Sequence, residues 1–292
     1  MGNYIKREIV SYPMVDFKYN YFREKYGLPE SEEFPQLPDI TLDFRASSPI
    51  LTISDPSLIQ DAYGPKLKFM DKHPKGHRVF KRLLGDALVL VPSNEEWSRR
   101  RKAVSAVFYK EKLSKLISQM SVVCAKYISE WGKMDDFQLY QGINKLNIDV
   151  ISQCVFGLLD NELVMDFKQM DGTFIKATLG EMVQLGMRDM FFKFINPLRI
   201  FSDFFDEFAI GKREKLHLEN ILTTREFFRK LIQEKREQIS IMKEEDCNDI
   251  LSLFLKDDNF KDNDELIIDE SIEFMAGGTL TSASLVMNFI IQ

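Results

Sequence analysis

The residues best suited to chemistry lie near the end of the sequence, where Gly277 and Gly278 interrupt an apolar segment shortly before Thr281. Glycine costs about 1 kcal/mol relative to alanine inside a helix, so this pair indicates that a bulky group approaches the backbone. The hydroxyl of Thr281 can reach the carbonyl of Gly277, four residues earlier, and bend or open the helix there. A plain buried helix with close helix–helix packing explains the same residues, and on these residues alone it is the favoured interpretation.

A second pair that could bind a ligand is Trp97 and Arg101, which lie one turn apart on the same face of a predicted helix. An indole N–H and a guanidinium on one face can both donate hydrogen bonds to a carboxylate. The alternative is a half-buried helix face with a surface arginine, and the pair by itself favours that alternative.

No metal site is predicted from the histidines. His73 and His77 have a spacing that suits two ligands only if both lie on one helix, and the intervening Pro74 and Gly76 instead predict a loop. Residues 65–92 as a whole are predicted to be irregular, because proline and glycine recur throughout them.

The three cysteines, Cys124, Cys154 and Cys247, are far apart and have neither metal-ligand nor redox spacing. This usage predicts a reducing compartment. Cys124 and Cys154 fall on apolar stripes at helical spacing, so both are predicted to be small core residues.

The overall composition is that of an ordinary globular protein, with 292 residues, of which 45% are hydrophobic and 29% charged. A net charge of −6 argues against a nucleic-acid partner. The N-terminus has no apolar stretch long enough for a signal peptide or membrane anchor. Residues 274–292 carry no charge and approach spanning length, but their polar residues make a poor span. A tail-anchored protein is therefore the weakest alternative.

The elements that must position these residues are predicted to be mainly α-helical, with one small β-element. Alternating apolar residues over 40–53 predict a hairpin that turns at residues 47–49, and Asp55 is predicted to cap the next helix. From Ser93 onward the chain is predicted to be helical, with Ser93 as an N-cap. The Phe- and Met-rich residues 174–208 are predicted, with equal weight, to line a pocket or membrane surface or to be ordinary core.

Taken in order, these features resemble the cytochrome P-450 family of heme-thiolate monooxygenases. Four segments carry the resemblance: residues 95–102 for the C helix with its Trp-x-x-x-Arg motif, 147–157 for the E helix, 249–251 for the helix before the I helix, and 271–282 for the I helix. The resemblance implies a truncated P-450 fold, with an N-terminal arm over residues 1–37 and a partial P-450 domain over residues 38–292.

The resemblance also implies a cofactor, heme, and roles around it. Trp97 and Arg101 would bind a heme propionate. Gly277 and Gly278 would let the helix backbone approach the porphyrin. Thr281 would take the family's threonine position, at which a hydroxyl assists proton delivery.

Substrate and partners follow from the same resemblance. Phe274 and Met275, with the Phe-rich residues 191–208, would supply apolar walls for a small apolar substrate, and electrons would come from a redox partner. The implied location is the cytosolic side of the endoplasmic reticulum membrane, with contact at the membrane surface, although the sequence shows no anchor.

Two departures from the family pattern qualify this expectation. Leu280 precedes Thr281, where the family usually has an acid. None of the three cysteines has the flanking Phe-x-x-Gly-x-x-x-Cys-x-Gly pattern of the iron ligand, whose thiolate the chemistry needs. The chain alone is therefore predicted to be inactive. It is also predicted to be poorly soluble, because the sequence stops inside the segment that resembles the I helix, which the family covers on all sides, and an apolar patch would be exposed. The alternative is a non-catalytic helical remnant that binds a partner or a lipid.

Overall fold

The computed structural model describes residues 40–45, 48–134, 137–194, 208–241 and 248–291. This part of the chain is mostly helical, with small antiparallel sheets, which confirms the predicted fold class. It divides into two compact units, Met1–Met70 and Asp71–Gln292. The predicted N-terminal arm, residues 1–37, lies outside the described residues.

The first unit contains the predicted hairpin and the helix that follows it. Strands β1 (Ile40–Arg45) and β2 (Ser48–Ile53) pair antiparallel, with Ile40 opposite Ile53 and Arg45 opposite Ser48. Ser48 and Pro49 belong to β2 rather than to the turn predicted over residues 47–49. Helix α1 (Pro56–Tyr63) begins as predicted, with the side chain of Asp55 accepting a hydrogen bond from the Leu58 N–H at 2.8 Å. A short 3-10 turn, Leu67–Phe69, follows.

The second unit holds the remaining described elements. In chain order they are α2 (Pro74–Leu84), α3 (Glu95–Ala106), α4 (Lys110–Trp131), α5 (Leu139–Phe156), a 3-10 turn (Asp160–Glu162), β3 (Val164–Lys168), β4 (Phe174–Thr178), α6 (Leu179–Phe194), α7 (Gly211–Ile241), α8 (Ile250–Lys256) and α9 (Asp264–Ile291). The hairpin of β3 and β4 corrects the prediction that the chain is helical throughout after Ser93. It was missed because each strand is only five residues long, too short for its alternation to stand out.

Helix α2 corrects the prediction that residues 65–92 are irregular. Pro74 stands at the start of the helix, where a missing backbone N–H breaks no intrahelical bond. Val79 and Leu83 bury the inner face of the helix. His77 therefore lies on a helix rather than in a loop, and its Nε2 is 2.9 Å from Oδ1 of Asp86.

The N-terminus of α3 also differs from the prediction by one residue. The N-cap is Asn94, whose side-chain oxygen accepts a hydrogen bond from the Trp97 N–H at 2.8 Å. The hydroxyl and backbone N–H of Ser93 instead donate to the carboxylate of Asp71. Both residue types favour N-caps, so the sequence pattern alone could not choose between them.

Helix α9 is central to the second unit and packs against α5, α6, α2 and α7. Its first half contributes Ile267, Ile268, Ile272 and Met275 to the core, all fully buried. Nearby, Lys235 and Asp249 form a buried ion pair at 2.7 Å that joins α7 to the start of α8. No helix among the described residues is both long and apolar enough to cross a bilayer.

Candidate functional site

The two glycines of α9 lie in different surroundings. A Cβ on Gly278 would lie 2.6 Å from Cδ1 of Ile151, so this glycine allows α9 and α5 to pack closely. A Cβ on Gly277 would meet nothing within 4 Å. The close-packing interpretation therefore explains Gly278, whereas Gly277 leaves an open strip of backbone on the exposed face of the helix.

Thr281 lies beside this open strip. It is exposed, and its hydroxyl donates to the Gly277 carbonyl at 2.5 Å, which is the contact that the sequence predicted. The helix is continuous through this point, so the contact does not open it as expected. The neighbouring Thr279 is buried and donates to the carbonyl of Met275 at 2.8 Å.

The two residues predicted to line a substrate pocket also occupy different environments. Phe274 is half-buried, with its ring centroid 6.0 Å from that of Phe108 and 6.1 Å from that of Phe254. Met275 is fully buried in the core, where the hydroxyl of Ser152 lies 3.8 Å from its sulfur. Only Phe274 has surface to offer a ligand here. Most of the predicted wall over residues 191–208 lies outside the described residues.

The predicted carboxylate-binding pair lies on α3. The half-buried Trp97 donates its indole N–H to the carbonyl of Leu88 at 3.1 Å, and Nζ of Lys72 lies 4.6 Å from its ring centroid. Arg101 is exposed, and its guanidinium has no hydrogen-bond or ion-pair partner among the residues that the structure describes. The arginine is therefore available to an anion, and the indole N–H is engaged within the chain.

A cluster of charge that the sequence did not indicate lies between α9 and α3. Arg100, next to the predicted Arg101, is buried and forms an ion pair with the buried Glu270. The same guanidinium donates to the carbonyl of Asp86 at 2.7 Å. Glu273, one turn after Glu270, accepts a hydrogen bond from the Val89 N–H at 3.0 Å. The only signal in the sequence was the acidic start of the last helix, which is also typical of an exposed helix N-terminus.

The electrostatics of this cluster favour a shared proton. Burial and the neighbouring carboxylate of Glu273 raise the pKa of Glu270 to about 7, despite the opposing effect of Arg100. Burial also raises the pKa of Glu273, against hydrogen bonds from Val89 and Glu270. A buried and a partly buried carboxylate one turn apart repel each other when both are ionised, which favours a single proton between them near neutral pH.

Two of the three cysteines, Cys124 and Cys154, lie among the described residues. Cys154 is buried, as predicted, and burial raises the pKa of its thiol to about 11, so the protonated form prevails. Cys124 is half-buried on α4, and neither thiol forms a disulfide. Cys247 lies outside the described residues.

The described residues define a class of mostly helical proteins with small β-hairpins, in which the long helix α9 carries a glycine with open surroundings. Comparison with known proteins identifies the class more closely. The profile of the family described as cytochrome P-450 matches residues 39–292, and the chain belongs to this family.

Two relatives and one solved structure indicate how far the match extends. The chain is 26% identical to cytochrome P-450 72A68 of Medicago truncatula over 214 residues, covering 71% of this chain and 37% of that protein. It is 29% identical to 7-deoxyloganic acid hydroxylase of Catharanthus roseus over 115 residues, covering 37% of this chain and 22% of that protein. The crystal structure of a cytochrome P-450, CYP102L1, shares the fold with a TM-score of 0.64 and 18% identity, covering 85% of this chain and 54% of that chain. The chain thus spans only part of the relatives that it matches.

The residues described here fit the heme that this family implies. Arg101 offers an unpaired guanidinium to a propionate carboxylate. Gly277 leaves space for a flat group to approach the helix backbone. Trp97 fits on the condition that its indole N–H leaves the Leu88 carbonyl.

Proposed function

We propose that this chain forms the distal wall of the heme site of a monooxygenase, which inserts one oxygen atom from O2 into a small apolar substrate. The single observation that supports this most is the open backbone at Gly277, next to the exposed hydroxyl of Thr281. Bound heme would supply the iron at which O2 is activated. The chain's own residues would hold the heme and line the substrate side.

Arg101 holds the cofactor's edge in this proposal. Its exposed guanidinium can donate to a propionate carboxylate, and a charge-assisted hydrogen bond of this type is roughly twice as strong as a neutral one. Trp97, one turn earlier, adds a second donor when its indole N–H exchanges the Leu88 carbonyl for the propionate. Gly277 allows close approach, because any larger residue would place a side chain between the cofactor and the helix.

Thr281 and Phe274 act on the substrate side. The Thr281 hydroxyl donates its hydrogen to the Gly277 carbonyl, so its oxygen is free to accept a hydrogen bond from a water. To relay a proton, the hydroxyl would turn from Gly277 and give up that hydrogen while its oxygen takes a proton from the water. Leu280 cannot relay protons, so solvent that reaches the exposed hydroxyl is the proposed source. Phe274 supplies an apolar wall. Met275 keeps its predicted pocket role only as a hypothesis, because its side chain is fully buried.

The iron ligand is the part of the site that these residues do not supply. A ligating thiol must be deprotonated, and the buried Cys154 resists deprotonation. We therefore expect the 292-residue chain to bind heme without a thiolate bond and to lack monooxygenase activity. A redox partner, and a location on the cytosolic face of the endoplasmic reticulum membrane, belong to the proposed function of the whole enzyme.

The test is a hemin titration of the purified chain, followed by absorbance spectra of the reduced protein with and without CO. We expect saturable binding that weakens at least about tenfold in Arg101→Ala, since a hydrogen bond to a charged group is lost. Gly277→Val should also weaken binding. The control Lys102→Ala removes the next exposed cation on α3 and should bind as the parent does. We expect no thiolate-type CO shift. Equal binding by the parent, Arg101→Ala and Gly277→Val would refute the proposed site.

A second candidate function rests on the end of α9, where a cluster of large apolar side chains is exposed: Leu285 (71%), Phe289 (85%) and Ile290 (52%). Such a patch is typical of an interaction surface. On this basis the chain would be a non-catalytic helical protein that binds a partner or a lipid. Sedimentation with phosphatidylcholine vesicles discriminates the two functions: binding that is lost in Phe289→Ser, together with no saturable hemin binding, would favour the second.

A further inference from the structure

Three carboxylates of α9, two of them buried and the third partly buried, hold the loop that precedes α3 by its backbone. Asp269 accepts a hydrogen bond from the Asp86 N–H at 2.7 Å. Glu270 lies 3.4 Å from the Leu88 nitrogen, and Glu273 lies 3.0 Å from the Val89 nitrogen. Three successive contacts of this kind fix the path of the loop against α9.

One peptide group of this loop has both of its polar atoms engaged by residues of interest. The peptide between Leu88 and Val89 donates its N–H to Glu273 and accepts, through its C=O, from the indole N–H of Trp97. A peptide group is planar and rigid, so its N–H and C=O turn together. If the N–H loses its partner, the plane can rotate and the carbonyl can move away from the indole.

We propose that Glu273 is a positioning residue for Trp97. The Glu273 carboxylate holds the Leu88–Val89 peptide so that the Leu88 carbonyl accepts a hydrogen bond from the Trp97 indole N–H. Glu273 thereby controls when this indole N–H can bind an anionic ligand. The identity of that ligand, a heme propionate, rests on the proposed function. The link between Glu273 and Trp97 does not.

The charge of Glu273 depends on its neighbours. Those that face it are Glu270 on its own helix, Arg100 and Arg101 on α3, and Lys72 before α2. The two arginines, the lysine and the hydrogen bonds from Val89 and Glu270 favour the ionised carboxylate of Glu273, whereas burial opposes it. A charged acceptor binds the Val89 N–H more strongly than a neutral one, so protonation of Glu273 loosens the hold on the loop.

Trp97 itself supplies a readout, because the chain contains one other tryptophan, Trp131. In a Trp131→Phe background, the fluorescence of the full chain reports on Trp97 alone. We expect the emission maximum to move as the Glu270–Glu273 pair titrates between about pH 5 and pH 8. In Glu273→Gln, which keeps the shape and removes the charge, the emission should become independent of pH over this range.

Amide exchange tests the peptide contact directly. In Glu273→Leu, exchange at the Val89 amide should accelerate roughly tenfold or more, because a hydrogen bond to a charged group is lost. The matched control is Glu265→Gln on the same helix, whose carboxylate pairs with Arg225 and Arg229 and not with the loop. The inference is overturned if Glu273→Leu leaves Val89 exchange and Trp97 emission equal to those of the control.

A hemin titration of the same variants separates this inference from the proposed function. We expect Glu273→Gln to bind hemin more tightly than the Glu265→Gln control, because Trp97 is released. If Glu273 controls Trp97 in the absence of hemin, and no variant binds hemin, the positioning role stands and the proposed function fails. If hemin binds and Trp97 emission is the same with and without Glu273 at every pH, the positioning role fails and the proposed function stands.

Discussion

The two halves of helix α9 differ sharply, although they form one continuous helix. In the first half, Ile267, Ile268 and Ile272 are fully buried, and three acids contact the loop before α3. In the second half, Leu285 and Phe289 are among the most exposed apolar residues of the described part of the chain. Past Gly277 and Gly278, the described side chains of the helix that remain buried are those of Thr279 and Ala283. The first half thus holds the fold together, and the second presents a surface on which a ligand or a partner can lie.

The difference shows that a helix of similar residues throughout can serve two purposes. Both halves are rich in apolar side chains, but the first half also buries two charged residues, Asp269 and Glu270. Burial of these acids is stable only because Arg100, Arg225 and backbone N–H groups satisfy them.

The largest effect should come from breaking the buried ion pair of the first half. Arg100→Leu leaves Glu270 buried without its cation, and we expect the free energy of unfolding to fall by about 3–5 kcal/mol. Urea denaturation measures this loss, and the neighbouring exposed Arg101→Leu should change stability by no more than about 0.5 kcal/mol.

The loss in Arg100→Leu should depend on pH. The folded-state pKa of Glu270, about 7, lies above its value in the unfolded chain, so the folded state binds the extra proton between these two values. Stability conferred by the protonated group is present at low pH and declines as pH rises through about 7. The variant should therefore be closer to the parent at pH 5 than at pH 8, and a loss equal at both pH values would contradict the assignment.

An intermediate effect should come from the same substitution made in each half. Ile272→Ala removes a fully buried side chain and should lower the free energy of unfolding by about 2–5 kcal/mol. Ile290→Ala acts on a residue that is 52% exposed and should change it by about 0.5 kcal/mol or less. Thermal or urea unfolding of the two variants gives the comparison, and similar losses would mean that the second half is covered in solution.

The smallest effect should separate the two glycines at the boundary. Gly277→Ala gains helix propensity in open space and should stabilise the chain by about 1 kcal/mol. Gly278→Ala gains the same propensity but forces Ile151 to move, so we expect it to be less stable than Gly277→Ala by about 1 kcal/mol or more. Denaturation midpoints of the two variants test this order. Equal midpoints would show that the Ile151 side chain moves aside without a cost in stability.

Local sequence signals predicted the elements that depend on neighbours in the chain. Asp55 and Pro56 predicted the start of α1, and the alternation over residues 40–53 predicted the first hairpin. Where two signals competed, the prediction failed. Pro74 was taken as a breaker, although it begins a helix whose apolar face the core stabilises, and Asn94 capped α3 where Ser93 was expected.

The candidate site was predicted in part for the same reason. Trp97, Arg101, Gly277 and Thr281 form local motifs, so their residue types and spacing were visible in the sequence, and their roles toward heme stay predictions. The pairing of Arg100 with Glu270 joins residues that are 170 positions apart, so no local pattern could indicate it.

The sequence by itself determined that α9 would be a helix, that its glycines would allow close approach, and that the Thr281 hydroxyl would reach Gly277, because these are relations within a few turns of one helix. Only the tertiary structure decided that Gly278 packs against Ile151 while Gly277 stays open. It also decided that Glu273 reaches Trp97 through a loop peptide. These contacts depend on which helices pack together and at what rotation, and that choice is made by the whole core rather than by any one segment.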